Sequence, residues 1–325
     1  MESDHPQLLV TLRARPELRD GLNRGLPDVG WAFLEETPLE RRDDVRALLV
    51  GSFARDVAPF DPATTPRLEF VQRLYTGLDG FPFSKFPDRI RVAGNVGAMA
   101  PYVSEHAVAL ALAAAHDLYA AREMVRTGQL RPAPVQRLLY RTTAVILGYG
   151  GIGREIARRL AGFEVRVVGV NRTGAPAEGA EEMFPADRLR EALSLGDFVF
   201  EVRPLTRRTA RTIGRAELEA MRPAAIFVNV GRAGTVDEEA LFHHLQSHPD
   251  FRAGLDVWWN EDYTGGTLLG KFPFMSLPNV VGSPHSAGVA PGEEPRILEH
   301  ALENVRRYFR TGQPQFVVDR AEYTG

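Results

Sequence analysis

The 325-residue chain contains no cysteine. That excludes disulfides, cysteine-ligated zinc, iron–sulfur clusters and thiol nucleophiles. Lysine is nearly missing too: only Lys85 and Lys271 stand among 39 basic residues, the rest being arginine. The plainest reading of that skew is compositional bias, so an arginine-dense helix face need not mark a binding patch. A net charge of −3 and an isoelectric point near 6.3 leave no electrostatic footprint for nucleic acid or an anionic membrane surface. Long apolar runs are absent: the longest, Ala107–Ala115, stops at His116-Asp117, well short of a membrane span. The opening MESDHPQLLV is charged and only briefly apolar, unlike a secretory leader, so the cytosol is the expected compartment.

What is present is ordinary for a globular chain, with 44% hydrophobic and 25% charged residues and length enough for two cores. Short apolar segments alternate with helical stretches. Leu8–Leu12, Val29–Phe33, Ala47–Gly51, Phe70–Tyr75 and Ile90–Ala93 read as strands, and Pro16–Leu26 as a helix. Pro101 opens a long apolar helix expected to run to about Thr127. A second alternation follows. Strands are expected at Thr143–Leu147, Val165–Val170, Phe198–Val202, Ala225–Val230, Ala253–Val257 and Val280–Gly282, and helices at Arg154–Leu160, Ala186–Leu193 and Glu238–Gln246. The amphipathic segment Glu294–Tyr308 is expected to return to the first domain. The fold class is therefore α/β, with two Rossmann-like domains. A doubly wound parallel-sheet dinucleotide-binding domain, 95–289, is inserted into a smaller flavodoxin-like substrate domain, 1–94 plus 290–325. Both crossings, near Gly94–Pro101 and Gly288–Pro291, carry Gly and Pro as hinges do.

The string TTAVILGYGGIGREIARRL places a Gly-x-Gly-x-x-Gly turn between a strand and a helix. That context lifts the motif above a chance match. Gly148 allows the tight turn, Gly150 lets backbone approach a pyrophosphate, and Gly153 lets helix pack on strand. Gly151, Ile152 and Gly153 then open a helix whose free N–H groups suit phosphates. The second strand ends in Asn171-Arg172-Thr173. An NAD site usually has a carboxylate there for the ribose 2′-hydroxyl. An amide, a guanidinium and a hydroxyl suit a 2′-phosphate instead. NADP(H) is favoured, with NAD(H) the alternative.

Beyond the turn come Arg232, Glu261 and His285, each at the end of a short apolar run. With the strings RPLTRRT (203–209), NVGRAGTVDEEAL (229–241), AGLDVWWNED (253–262) and SPHSAG (283–288), the chain resembles a D-isomer-specific 2-hydroxyacid dehydrogenase over nearly its whole length. The resemblance implies that Arg232 binds a substrate carboxylate and polarises the adjacent carbonyl, as a fixed planar fork can. It implies that His285 is the general acid/base, a task imidazole suits in both directions. Glu261 would orient the ring, with Asp262 the neighbouring register, since the family often has Glu-Pro here and this chain has Glu-Asp. Asp256 matches the aspartate that binds the nicotinamide amide; Val202, Val230 and Gly288 complete the expected cofactor contacts. Tyr75, Thr76 and Gly77 match the loop whose amides hold the substrate carboxylate, Tyr75 standing where smaller residues are common.

The implied reaction is hydride transfer between NAD(P)(H) and a small D-2-hydroxy or 2-oxo acid, glyoxylate or hydroxypyruvate foremost. The alternatives are a 3-phosphoglycerate dehydrogenase-type enzyme and a non-catalytic NAD(P)(H)-sensing binding protein. In this superfamily a formate enzyme would carry Gln at 261, and a phosphite enzyme Lys in the 75–77 loop. The resemblance also implies a homodimer through Val103–Arg126. No metal is expected: His243, His244 and His248 lack a completing carboxylate and read as a polar helix face. Of Trp258 and Trp259, one is expected in the core and one beside the substrate, where Tyr263 also bears on the acid accepted. Phe81-Pro82-Phe83 and Phe272-Pro273-Phe274 read as packing segments. Glu105-His106 is a family feature without an assignable role.

Overall fold

Apolar runs of three or four residues between Pro, Gly and Asp punctuation become the strands of the first unit: β1 (Leu8–Val10), β2 (Trp31–Phe33), β3 (Ala47–Val50), β4 (Phe70–Arg73) and β5 (Arg91–Ala93). They form one parallel sheet in the order β2-β1-β3-β4-β5. Helix α1 (Pro16–Gly25) starts on its proline. Because side chains alternate across a strand, the two faces bury different sets. Leu8, Val10, Trp31, Phe33, Leu49 and Phe70 make one core, while Leu9, Leu48, Val50, Val71 and Val92 meet Phe60, Phe81, Phe83 and Phe86 on the other face. The Phe81-Pro82-Phe83 segment is thus core packing. This description comes from a computed structural model and covers residues 2–58, 60–130, 136–262, 267, 268, 270–289 and 291–324. Tyr263 lies outside the described residues.

The second unit begins with α2 (Ala100–Ala115) and α3 (Leu118–Arg126). The single long helix expected from Pro101 to Thr127 is two helices. Asp117 adopts a left-handed conformation, φ +49°, and ends the first. Arg252 explains the break: its guanidinium donates to the Ala114 and Ala115 carbonyls at 2.7 and 3.2 Å, satisfying acceptors that a helix end leaves over. The sheet strands that follow are β6 (Thr143–Leu147), β7 (Arg166–Asn171), β8 (Glu182–Pro185), β9 (Phe198–Glu201), β10 (Ile226–Asn229) and β11 (Arg252–Leu255). The helices among them are α4 (Gly151–Leu160), α5 (Leu189–Leu193), α6 (Arg215–Ala220) and α7 (Glu238–Ser247). A short antiparallel pair, β12 (Glu261–Asp262) and β13 (Thr267–Leu268), precedes β14 (Val280–Gly282). The seven-stranded sheet runs β14-β11-β10-β9-β6-β7-β8, parallel throughout. Its order reverses between β6 and β9, the switch point at which open α/β sheets bind ligands.

The last helix, α8 (Glu294–Thr311), buries Leu298, Ala301, Leu302, Val305 and Tyr308 in the first unit's core. The chain divides into residues 1–99 with 290–325, and 100–289. The first division falls at Met99, five residues beyond the sequence-based placement, because the Gly94–Gly97 passage stays with the first unit through Asn95.

Candidate active site

Strand β6 delivers the chain to Gly148, whose φ of +97° no side chain takes easily. Gly153 is held by a different constraint: a Cβ there would lie 2.5 Å from the Gly148 carbonyl oxygen. At Gly150 a Cβ would project into space with no atom within 4 Å, leaving the turn an open cradle. Helix α4 starts next, at Gly151, with Gly150 as its N-cap and no side-chain cap bond. Uncapped amides and an open cradle fit a pyrophosphate. Tyr149, inside the motif, is buried; its hydroxyl donates to the Glu178 carbonyl at 3.1 Å, and burial pushes its phenol up to about 12.

Asn171, at the end of β7, shapes the following loop. Its Oδ1 accepts from the Thr173 and Gly174 amides at 3.0 and 2.7 Å, and its Nδ2 donates to the Ala175 carbonyl at 2.8 Å. One of the two Nδ2 hydrogens of the Asn171 amide is thus engaged by the turn, and Arg172 and Thr173 beside it are exposed.

Adjacent strands β10, β11 and β14 deliver Arg232, Asp256 and His285 at their carboxyl ends. Arg232 is half-buried. The Asn229 side chain fixes the turn before it, accepting from the Gly231 amide at 3.1 Å and donating to the Arg232 carbonyl at 3.2 Å. Val202 and Val230 are buried beside it at the ends of β9 and β10. His285 and Glu261 meet, Nδ1 to Oε2, at 2.8 Å, with the side chains 23% and 12% exposed. The other carboxylate oxygen of Glu261 accepts the Trp258 amide at 2.7 Å. Asp262, beside Glu261, is exposed, so Glu261 is the register that reaches the imidazole. Asp256 is fully buried. Its carboxylate accepts from Ser283 Oγ at 2.6 Å, from the Ser286 amide at 2.9 Å and from the Ala287 amide at 3.0 Å, just before Gly288.

In the first unit, Tyr75, Thr76 and Gly77 follow β4. Asn95 braces them: its amide donates to the Tyr75 carbonyl at 3.0 Å and its carbonyl accepts from Thr76 Oγ1 at 3.0 Å. The buried Asn95 side chain joins the Leu74 and Ile297 carbonyls and His300 Nδ1. Tyr75 is exposed.

Sequence reasoning gave no supporting role to Asn95, His300, Ser283 or Trp258. Asn95 lies in the glycine-rich passage Gly94–Gly97, and Ser283 and Trp258 lie in the strings SPHSAG and AGLDVWWNED, but His300 carried no signal. Trp258 and Trp259 share one fate: both pack on the second unit's core, Trp258 donating to the Ser283 carbonyl and Trp259 stacking on Phe274. Phe272 and Phe274 pack there as well. On α7, His244 stacks on His248 at 4.2 Å and meets the edge of Phe251. Burial, with the neighbouring His248, pushes its imidazole down to about 4. Among the described residues no group of three or more His, Asp or Glu could hold a metal ion.

Residues 108–287 match the family model described as the D-isomer specific 2-hydroxyacid dehydrogenase NAD binding domain. A glyoxylate reductase of Thermococcus gammatolerans is 32% identical over 97% of this chain and 96% of its own length. A hydroxypyruvate reductase of Thermotoga maritima is 31% identical over 82% and 85%. Among solved structures, a D-isomer specific 2-hydroxyacid dehydrogenase from Xanthobacter autotrophicus Py2, in complex with NADPH and MES, superposes with a TM-score of 0.80 at 25% identity, covering 98% of this chain and all of that one. The chain belongs to the D-isomer-specific 2-hydroxyacid dehydrogenases, enzymes that move a hydride between a nicotinamide cofactor and a 2-hydroxy or 2-oxo acid.

Proposed function

We propose that the chain reduces a small 2-oxo acid, glyoxylate or hydroxypyruvate, with NADPH, and that Arg232, Glu261 and His285 do the work. The observation that carries this reading is the 2.8 Å His285–Glu261 pair on the strand edge that also bears Arg232. The guanidinium of Arg232 holds the substrate carboxylate and polarises the 2-oxo group. Glu261 accepts the Nδ1 proton of His285 and so fixes the tautomer. Nε2 then gives a proton to the carbonyl oxygen in reduction and takes the hydroxyl proton in oxidation. The nicotinamide supplies the hydride. The amides of Tyr75, Thr76 and Gly77 assist with the carboxylate. The cofactor is held by Gly148, Gly150, Gly151, Ile152 and Gly153 at its phosphates, by Arg172 and Thr173 at its 2′-phosphate on the turn Asn171 shapes, and by Val202, Val230, Asp256 and Gly288 at its nicotinamide end. Retention of Arg232, Glu261 and His285 favours an enzyme over a cofactor-sensing binding protein. The chain works as a homodimer, a reading supported by the exposed apolar residues Leu118, Tyr119 and Val125 on α3.

The test is a panel of 2-oxo acids assayed at 340 nm with NADPH and with NADH. Glyoxylate or hydroxypyruvate with NADPH should give the highest kcat/KM. Arg172→Ala should lose tenfold or more with NADPH and little with NADH, since a charge-assisted hydrogen bond is worth roughly 1.5–3 kcal/mol. A wild type that prefers NADH overturns the cofactor choice. Inactivity with every small 2-oxo acid overturns the substrate class.

A further inference from the structure

His285 has a backbone φ of +52°. A side chain other than glycine stays in that region only where its surroundings over-determine it. The surroundings here are a relay. The His285 amide donates to the Asp256 carbonyl at 2.7 Å. The Asp256 carboxylate gathers the Ser286 and Ala287 amides on one side of His285 and the Ser283 hydroxyl on the other. Ser283 Oγ in turn meets Nε2 of His106, on α2, at 2.8 Å, and that nitrogen lies 3.5 Å from Asp256 Oδ1. The proton positions follow from chemistry. An ionised carboxylate only accepts, so Ser283 donates to Asp256; the serine oxygen then accepts, so His106 carries its proton on Nε2.

We infer that His106 is a positioning residue for His285, acting through Ser283 and the buried Asp256 to hold residues 283–287 in the conformation that presents the imidazole to Glu261. His106 and Ser283 lie 177 positions apart in the chain, and they join the middle of α2 to the loop after β14. Trp258 closes the frame. Its indole donates to the Ser283 carbonyl at 2.9 Å, while its amide holds Glu261. Both members of the His285–Glu261 pair are thus tied to Ser283 by short bonded paths. Removing the His106 contact leaves the Ser283 hydroxyl without its donor and loosens the one segment that carries a strained histidine.

The inference rests on His285 being the acid/base, and the experiment separates the two. kcat and KM for glyoxylate reduction, with cofactor Kd measured by fluorescence, are compared for wild type, His106→Leu, His106→Gln, Ser283→Ala and His285→Ala, and for the double variant His106→Leu/His285→Ala. His106→Leu and Ser283→Ala should each lower kcat roughly tenfold, the scale on which residues in one network couple. Their cofactor Kd should change far less. His106→Gln, which can return an N–H to Ser283, should restore most of the rate. In the His285→Ala background, His106→Leu should cost nothing further, because its effect passes through His285. A further drop there, or wild-type kcat in both His106→Leu and Ser283→Ala, overturns the inference. Near-wild-type activity in His285→Ala instead overturns the acid/base reading on which it stands.

Discussion

A histidine that hands over a proton needs one nitrogen held and the other presented. Nδ1 of His285 is held by Glu261 at 2.8 Å, and Glu261 is itself held by the Trp258 amide. His285→Ala should therefore lose roughly 10²–10⁴-fold in kcat, the usual size of a general acid–base contribution. Glu261→Gln keeps the size and an acceptor for Nδ1–H but allows the amide to turn its N–H₂ toward the ring. It should lose activity by less than His285→Ala. Cofactor Kd should stay close to wild type in both. Steady-state kinetics with a parallel binding titration checks the order; a Glu261→Gln enzyme with wild-type kcat removes the carboxylate from the mechanism. At this scale the sequence is informative where a residue type implies a chemistry. Arg232, Glu261 and His285 stand in recognisable strings. Ser283 and Trp258 stand in the same strings, SPHSAG and AGLDVWWNED, yet their bonds do not show there, because a hydroxyl or an indole bonded across the fold looks like any other in one dimension. Asn171 carries a second role the sequence does not show: its side chain closes the following turn through Oδ1 and one Nδ2 hydrogen.

Elements are legible where apolar runs are bounded by turn residues, and the strands from β1 to β7 fall within two residues of the sequence-based limits at most ends. Strand β8 escapes such a reading because Glu182-Met183-Phe184-Pro185 is short and ends in proline. At the α2–α3 break the sequence offers only the polar pair His116-Asp117, with no glycine or proline to mark a helix end. What ends α2 is Arg252, far along the chain. Helix α7 shows a further consequence of local burial. His244 is half-buried against Phe251 and His248, and its imidazole is pushed down to about 4, whereas in the unfolded chain it titrates near 6.5. Between those values the unfolded state binds the proton and the folded state does not, so stability falls as pH drops from about 6.5 to 4. Below that window the loss is complete. His244→Phe should flatten this part of the profile. Thermal melts of both proteins at pH 7, 6, 5 and 4.5 check it, and identical slopes would show that His244 titrates normally in the fold.

For the molecule as a whole, parallel sheets explain why the candidate site residues can be located from the order of strands alone. In each unit they follow strands at the carboxyl edge, Tyr75 after β4, Arg232 after β10 and His285 after β14. Assembly is less legible. The family resemblance implies a dimer face at 103–126, yet Val103, Ala107, Val108 and Leu110 on α2 are already buried within the chain. The face that remains is on α3 and just beyond it: Leu118 is 51% exposed, Val125 79% and Leu130 85%. So much apolar surface on neighbouring positions suits a self-complementary contact, which in a stable dimer covers about 800 Å² on each copy. Leu118 and Val125 are exposed in the single chain, so charging them should cost the fold little while placing two unpaired carboxylates in the contact. Leu118→Glu/Val125→Glu should therefore sediment as a monomer at concentrations where wild type is a dimer, with an unchanged far-ultraviolet spectrum. A monomeric wild type would remove the dimer, and a dimeric double variant would move the contact away from α3.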